Sequence, residues 1–236
     1  MTSRPAGRAT ADAPSARSAP SPAEPSLAVR TYTSLRRRIL VGAYPQGSRL
    51  PEQKIAEDLS VSRVPLREAI QQLETDGLVR TVPRRGAVVD TWTTQAIHDL
   101  FDVRLAVEVA AAGLAARRMA DGRDATDMEA ALARSHRHLD ATGEHDHLSV
   151  AEASAAFHEA VVLSTDNALM VSLMNAVVSR MVWLFYLTSG RDQNLACQEH
   201  HELFDAIRSG HQRTAESVAY AHIERGRIPT LSAFGE

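Results

Sequence analysis

The chain has 236 residues, 44% of them hydrophobic and 23% charged, with a net charge of -3, which is ordinary for a globular protein with room for one large or two modest domains. A single cysteine, Cys197, excludes an intrachain disulfide and any Cys-rich zinc module, and fits a reducing, cytoplasmic setting. The longest apolar run, Met181 to Leu187, is seven residues, far short of the roughly 20 that span a bilayer.

Residues 1–26 hold five of the ten prolines amid Ala, Ser and Arg, and read as a disordered tail without a signal-peptide core. Residues 1–90 carry 14 Lys and Arg against 9 Asp and Glu, and the remainder carries 12 against 20. A basic module therefore precedes an acidic one, a distribution that hints at a nucleic-acid-binding part joined to something else.

The first module is expected over residues 27–90. Val29, Tyr32, Leu35, Ile39 and Leu40 recur at helical spacing between Leu27 and Val41, and Gly42 stops that helix. Pro45-Gln46-Gly47 is a turn, and Leu50 to Leu59 starts a short helix with proline and acid in its first turn. Ser62 is placed to cap a third helix that runs to about Asp76 before Gly77. On it Arg63, Arg67 and Gln71 share one stripe, while Leu66, Ala69, Ile70 and Leu73 share an apolar one. Taken alone, that charged stripe fits a solvated face as well as a binding face. Two helices joined by a tight turn, the second opening on Ser-Arg and then Arg, form the helix-turn-helix arrangement that inserts a helix N-terminus into a DNA major groove. Leu78 to Val82 and Ala87 to Val89 read as two strands joined by Pro83-Arg84-Arg85-Gly86, a basic hairpin that would be either an ordinary exposed turn or a wing reaching phosphates or a minor groove.

The second module, residues 94–230, is helical throughout. Thr94 is expected to cap its first helix, and breaks at Asp121-Gly122, Thr142-Gly143, Ser164 to Asn167, Ser189-Gly190 and Ser209-Gly210 divide it into about six helices. The fold class is thus mainly α, an N-terminal winged helix-turn-helix followed by an all-α bundle.

Several stretches together resemble the winged helix-turn-helix of the GntR family of bacterial transcription regulators. They are Ile39 to Gly47, Leu50 to Ala56, Val61 to Ala69, Leu73 to Val79 and Arg85-Gly86. Arg104 to Glu108, Phe157 to Ala160, Asp166 to Leu169, Glu199 to Ile207 and Ala221 to Ile223 resemble the FadR-type C-terminal effector domain, the FCD domain, of the same family. The resemblance implies that Arg63 and Arg67 contact operator DNA, Ser62 a phosphate, and Arg85-Gly86 the minor groove. Gln71 shares the arginine stripe, and Gln53 stands where some members carry arginine, so operator preference turns partly on it. Ser60 stands where the family usually has glycine, so the turn must put a residue without glycine's freedom there.

The resemblance also implies a metal site in the bundle built from His158, His200, His222 and an Asp four residues before the first of them, a position held here by Ser154. A neutral hydroxyl is a poor ligand beside a carboxylate, so the site would keep three imidazoles and one or more open positions for zinc or nickel. The alternative is that the histidines line a polar pocket without metal. His136, His138, His145 and His147 lie in a polar stretch and read as surface residues. The expected effector is a small carboxylate in the bundle, with Arg104, Ser154 and Asn167 as candidate contacts. A two-fold dimer is expected to read a palindromic double-stranded operator as a repressor. Two other readings stay open: a metal-free sensor of acyl-CoA type on the same fold, and a metal-dependent hydrolytic enzyme, although no His-Glu-x-x-His spacing accompanies His158.

Overall fold

The computed structural model describes Met1 and residues 25–140, 146–190 and 192–235. The tail expected over residues 1–26 lies almost entirely outside the described residues, as do His145 and the break expected at Thr142-Gly143.

The chain opens with α1 (Leu27–Leu40), α2 (Glu52–Asp58) and α3 (Arg63–Thr75). Ser26 caps α1 by accepting a hydrogen bond from Val29 N at 3.3 Å, and Gly42 closes it with φ +78°. Leu35, Ile39 and Leu40 of α1 meet Leu66, Ala69, Ile70 and Leu73 of α3 in one buried cluster. Each fully buried leucine there contributes about 1.5–3 kcal/mol, which holds α3 in place while its other face stays in solvent. Strands β1 (Val79–Val82) and β2 (Gly86–Val89) pair antiparallel, with Val79 opposite Val89 and Val82 opposite Gly86. Arg49 adds a bridge to Val88, which ties the turn before α2 to the hairpin.

Ser60 adopts φ +52°, in the left-handed region where a Cβ is costly, at the turn between α2 and α3. The chain takes the glycine-like conformation there without the glycine. Ser62 occupies the N-cap position of α3, but its side chain makes no capping bond, contrary to expectation.

The helical module comprises α4 (Thr94–Arg104), a π-helical turn (Leu105–Val109), α5 (Ala110–Ala120), α6 (Thr126–Asp140), α7 (His147–Leu163), α8 (Ala168–Asn175), α9 (Val178–Leu187), α10 (Gln193–Arg208) and α11 (Gln212–Ala233). Thr93 rather than Thr94 caps α4, accepting from Ala96 N at 3.1 Å. Every expected break within the described residues is present. Two further irregularities carry no glycine or proline: the π turn inside the first long helix, and the kink that separates α8 from α9 at Ala176-Val177. Among the described residues no single helix is long and apolar enough to cross a membrane; the Met181–Leu187 run belongs to α9, where Met181 to Leu184 are buried in the protein.

The two modules share a core. Leu148, Ala151 and Ala155 of α7 and Val182 and Trp183 of α9 join the cluster formed by α1, α3 and the hairpin. Trp92 packs edge-on against Trp183, with centroids 5.9 Å apart. Polar contacts reinforce the seam: Asp76 accepts from the Tyr32 hydroxyl and from Ser179 Oγ at 3.2 Å, and the Gly77 carbonyl accepts from Arg180 Nε at 3.2 Å. Burial first, and then the Asp76 carboxylate, push the Tyr32 phenol up to about 12.

Candidate functional site

The outer face of the first module is a basic groove. Arg49, Gln53, Lys54, Arg63 and Arg67 line it together with Glu52 and Glu57. Ser62, Arg63, Arg67 and Gln71 are all exposed along α3. Arg67 Nε lies 3.9 Å from Glu52, too far and too exposed to hold the guanidinium in place. Gln53 donates to Glu57 at 3.2 Å and borders the same groove. At the hairpin tip Arg84 (φ +63°) and Gly86 (φ +76°) are left-handed and Arg85 is exposed, so the turn projects two guanidinium groups away from the core. The structure thus brings Gln53, Arg63 and Arg67 to one surface, adding Arg49 and Lys54, which the sequence pattern did not single out. Arg49 is detectable only through its bridge to the hairpin.

The second site is a cavity of about 40 Å³ inside the bundle, lined by Arg104, Ser154, His158, Phe185, His200 and His222, with His147 at its edge. His158 comes from α7, His200 from α10 and His222 from α11, and all three are buried. Their ring centroids lie 5.0–5.3 Å apart, and one nitrogen from each falls within 4.8 Å of the others. His158 Nδ1 lies 2.7 Å from Glu108 and His222 Nδ1 lies 3.0 Å from Glu199. Carboxylates in those places fix each ring's tautomer and turn the opposite nitrogen toward the centre. His200 Nδ1 is buried with no hydrogen-bond partner. An orphaned imidazole nitrogen beside two oriented rings is what a metal ion would satisfy, so these residues fit a divalent ion.

The electrostatics agree. Burial lowers His158 to about 4 despite the Glu108 carboxylate, with Arg104 and His222 adding to the shift. Burial also lowers His200 well below the ordinary histidine range, helped by His158, His222 and Arg104. His158 and His200 are therefore neutral imidazoles at physiological pH, each able to offer a nitrogen lone pair. Burial alone would raise Glu108, but Arg104 and His158 together outweigh it and keep the carboxyl ionised. Arg104 Nε lies 2.7 Å from Glu108 and its NH2 3.5 Å from His158 Nε2, while Arg225 lies 3.0 Å from Glu199. Each buried carboxylate thus has its own arginine. A dication added to this balanced set would leave a net positive centre that favours an anionic ligand.

Ser154 lies half-buried on the cavity wall one turn before His158, as its spacing requires. Asn167 does not reach the cavity: its side chain caps α8, accepting from Leu169 N at 3.1 Å and Met170 N at 3.3 Å. The Asx-type capping demand of the turn after α7 takes the residue that the resemblance had offered as a ligand contact. Glu108 and Glu199 were missed. Glu108 stands four residues after Arg104 and Glu199 directly before His200, but only the tertiary fold aims them at His158 and His222. His136 and His138 are exposed as expected, and His147, also exposed, reaches the rim of the cavity.

Comparison with known proteins identifies both modules. Residues 27–89 match the model of the bacterial regulatory proteins of the gntR family, and residues 99–225 match that of the FCD domain. The galactonate operon transcriptional repressor of Escherichia coli is 32% identical over 217 residues, covering 82% of this chain and 92% of that protein. The gluconate operon transcriptional repressor of Bacillus licheniformis is 32% identical over 196 residues, covering 82% of this chain and 76% of that one. Among solved structures, a GntR transcriptional regulator from Rhodococcus sp. RHA1 superposes with a TM-score of 0.72 at 26% identity, covering 87% of this chain and 97% of that one.

Proposed function

The chain belongs to the GntR family, with an FCD domain behind its winged helix, and from that premise we propose a repressor whose operator affinity is set by a small carboxylate held at a metal ion in the bundle. It is a DNA-binding transcriptional regulator controlled by a small-molecule effector. The observation that carries the finer reading is the buried trio His158, His200 and His222 around a cavity that Arg104 and Ser154 complete.

His158, His200 and His222 would hold the ion, zinc or nickel by donor type, with Glu108 and Glu199 orienting the imidazoles. The ion when bound supplies a Lewis-acidic position at which a carboxylate oxygen can sit. Arg104 offers a charged second contact and Ser154 a hydroxyl. A cavity of about 40 Å³ suits an ion with the head of a small acid and leaves no room for an acyl-CoA chain. Two relatives are named for the gluconate and galactonate operons, and both compounds are carboxylates.

Control would pass through α7 and α9. Both line the cavity, through His158 and Phe185, and both pack against the winged helix through Ala151, Val182 and Trp183. A ligand that prefers one packing of this seam shifts the DNA heads by its differential affinity for the two states. Ser62, Arg63, Arg67, Gln53, Gln71, Arg85 and Gly86 would meet a palindromic operator in a homodimer acting in the cytoplasm. Leu169 and Leu173, exposed on α8, offer apolar surface for the dimer. No catalytic role is assigned to the histidines, because Glu108 and Glu199, the acids that face them, are each held by an arginine and an imidazole.

Selection of bound genomic fragments, followed by thermal-shift screening of organic acids and acyl-CoAs with Zn2+ or Ni2+, tests this reading. Stabilisation by organic acids that depends on the metal supports it. Stabilisation by acyl-CoAs alone, unaffected by chelator, would overturn it.

A further inference from the structure

A second cluster lies outside the cavity. Cys197 and His201 stand four residues apart on α10, so one helical turn stacks them on the same face. His136 reaches them from α6: its Nε2 meets His201 Nε2 directly and lies 3.6 Å from Cys197 Sγ. The two rings sit 4.7 Å apart, and one ligand atom from each of the three residues falls within 4.8 Å of the others. Cys197 is buried, His201 half-buried and His136 exposed, so a soft donor lies at the floor and two imidazoles at a rim open to solvent.

We propose that His136, Cys197 and His201 form a surface site for a thiophilic divalent transition metal such as Zn2+, separate from the effector cavity. The chemistry is that of a thiolate and two imidazoles with solvent as fourth ligand. With Zn–S near 2.3 Å and Zn–N near 2.0–2.1 Å, tetrahedral geometry sets sulfur and nitrogen about 3.6 Å apart. The Sγ to Nε2 separation of 3.6 Å already meets that requirement. Two Nε2 lone pairs directed at one another repel unless a proton or a cation lies between them, and exposed His136 has freedom to swing outward and admit an ion. On binding, Cys197 gives its thiol proton to solvent and forms the Zn–S bond. The ion clamps α6 to α10. His200 and His201 are neighbours about 100° apart around α10, which is why one helix serves two sites without sharing a ligand.

The test uses the full chain loaded with Co2+ in place of Zn2+, read by its thiolate-to-cobalt charge-transfer absorption in the near ultraviolet. Only this cluster contains sulfur, so the band reports it independently of the cavity site. Wild type and His158→Ala are expected to show the band, and Cys197→Ser and His136→Ala to lose it or to need at least tenfold more Co2+. His136 is exposed, so its variant folds even where Cys197→Ser does not. A wild-type protein without the band, or a band unchanged in His136→Ala, overturns the proposal. Loss of the band in His158→Ala would also overturn it, because the two sites would then not be separate.

Discussion

His158 Nδ1 and Glu108 Oε2 lie 2.7 Å apart, and the π-helical turn Leu105–Val109 holds the pair in register. That turn carries Glu108, while Arg104 at the end of α4 grips the same carboxylate from one turn before. π turns are rare and recur at functional sites, where the slipped ladder re-aims side chains.

The carboxylate's work at that pair is to orient an imidazole. Glu108→Gln keeps the size and a hydrogen bond but removes the charge that fixes the His158 tautomer, and is expected to weaken Zn2+ or Ni2+ binding by about 10–100-fold. Isothermal titration with each metal measures it. Unchanged affinity would mean that Glu108 serves only Arg104.

Acid should loosen the bundle. His158 titrates near 4 in the folded protein and near its ordinary 6.5 when unfolded. Between those values the unfolded chain binds the extra proton, so stability is intact above about pH 6.5 and falls as pH drops toward 4. The shift corresponds to roughly 3 kcal/mol, of which about 2 kcal/mol is lost by pH 5, and His200 acts in the same direction. Urea unfolding in chelator at pH 7.5 and pH 5 reads the difference. A stability that stays level over that interval contradicts a buried, neutral His158 and His200.

Ser60 carries a conformational cost, since φ +52° is unfavourable for a residue with a Cβ. Ser60→Gly relieves it, offset in part by glycine's greater freedom when unfolded, for a net gain of about 0.5–1 kcal/mol. A rise in Tm of about 1–4 °C with operator affinity unchanged is expected. A lower Tm would show that the serine side chain holds the turn.

Asp76 joins the two modules by accepting from Tyr32 and Ser179 while Gln72 donates to it at 2.9 Å. Asp76→Ala leaves those donors without their acceptor, a cost of about 1–3 kcal/mol. The Tyr32 phenol then falls from about 12 back toward its ordinary value, visible in an alkaline absorbance titration. A titration identical to wild type would place the origin of the shift in burial alone.

The fold was readable because each segment signals itself locally. Leu66, Ala69, Ile70 and Leu73 mark the inner face of α3, and Gly42, Gly77, Gly122 and Gly210 all close helices with positive φ. The three histidines were visible through their resemblance to a known pattern. What sequence could not convey was pairing across long separations. Glu108 with His158, Asp76 with Ser179, and His136 with His201 lie 50, 103 and 65 positions apart, and no periodicity encodes them. The π turn and the kink at Ala176-Val177 lack glycine or proline, so packing alone dictates them. Asn167 misled because its capping role and a ligand role look identical in sequence.

Arg67 is the sharpest test of the DNA surface, since its side chain is 73% exposed and its ion pair to Glu52 is 3.9 Å long. Arg67→Ala is expected to cut affinity for the selected operator by about 1–3 kcal/mol while non-specific binding changes little, as a base-reading contact requires. An equal loss on all sequences would make it a phosphate contact.

The measurement that bears most directly on the whole account is operator affinity with and without metal plus organic acid, compared between wild type and His200→Ala. Wild type is expected to change its Kd by about 5–150-fold with an active acid, and His200→Ala to bind the operator like the ligand-free wild type whether or not the acid is present. A variant that responds to the same acid as fully as wild type would contradict control through the histidine cluster.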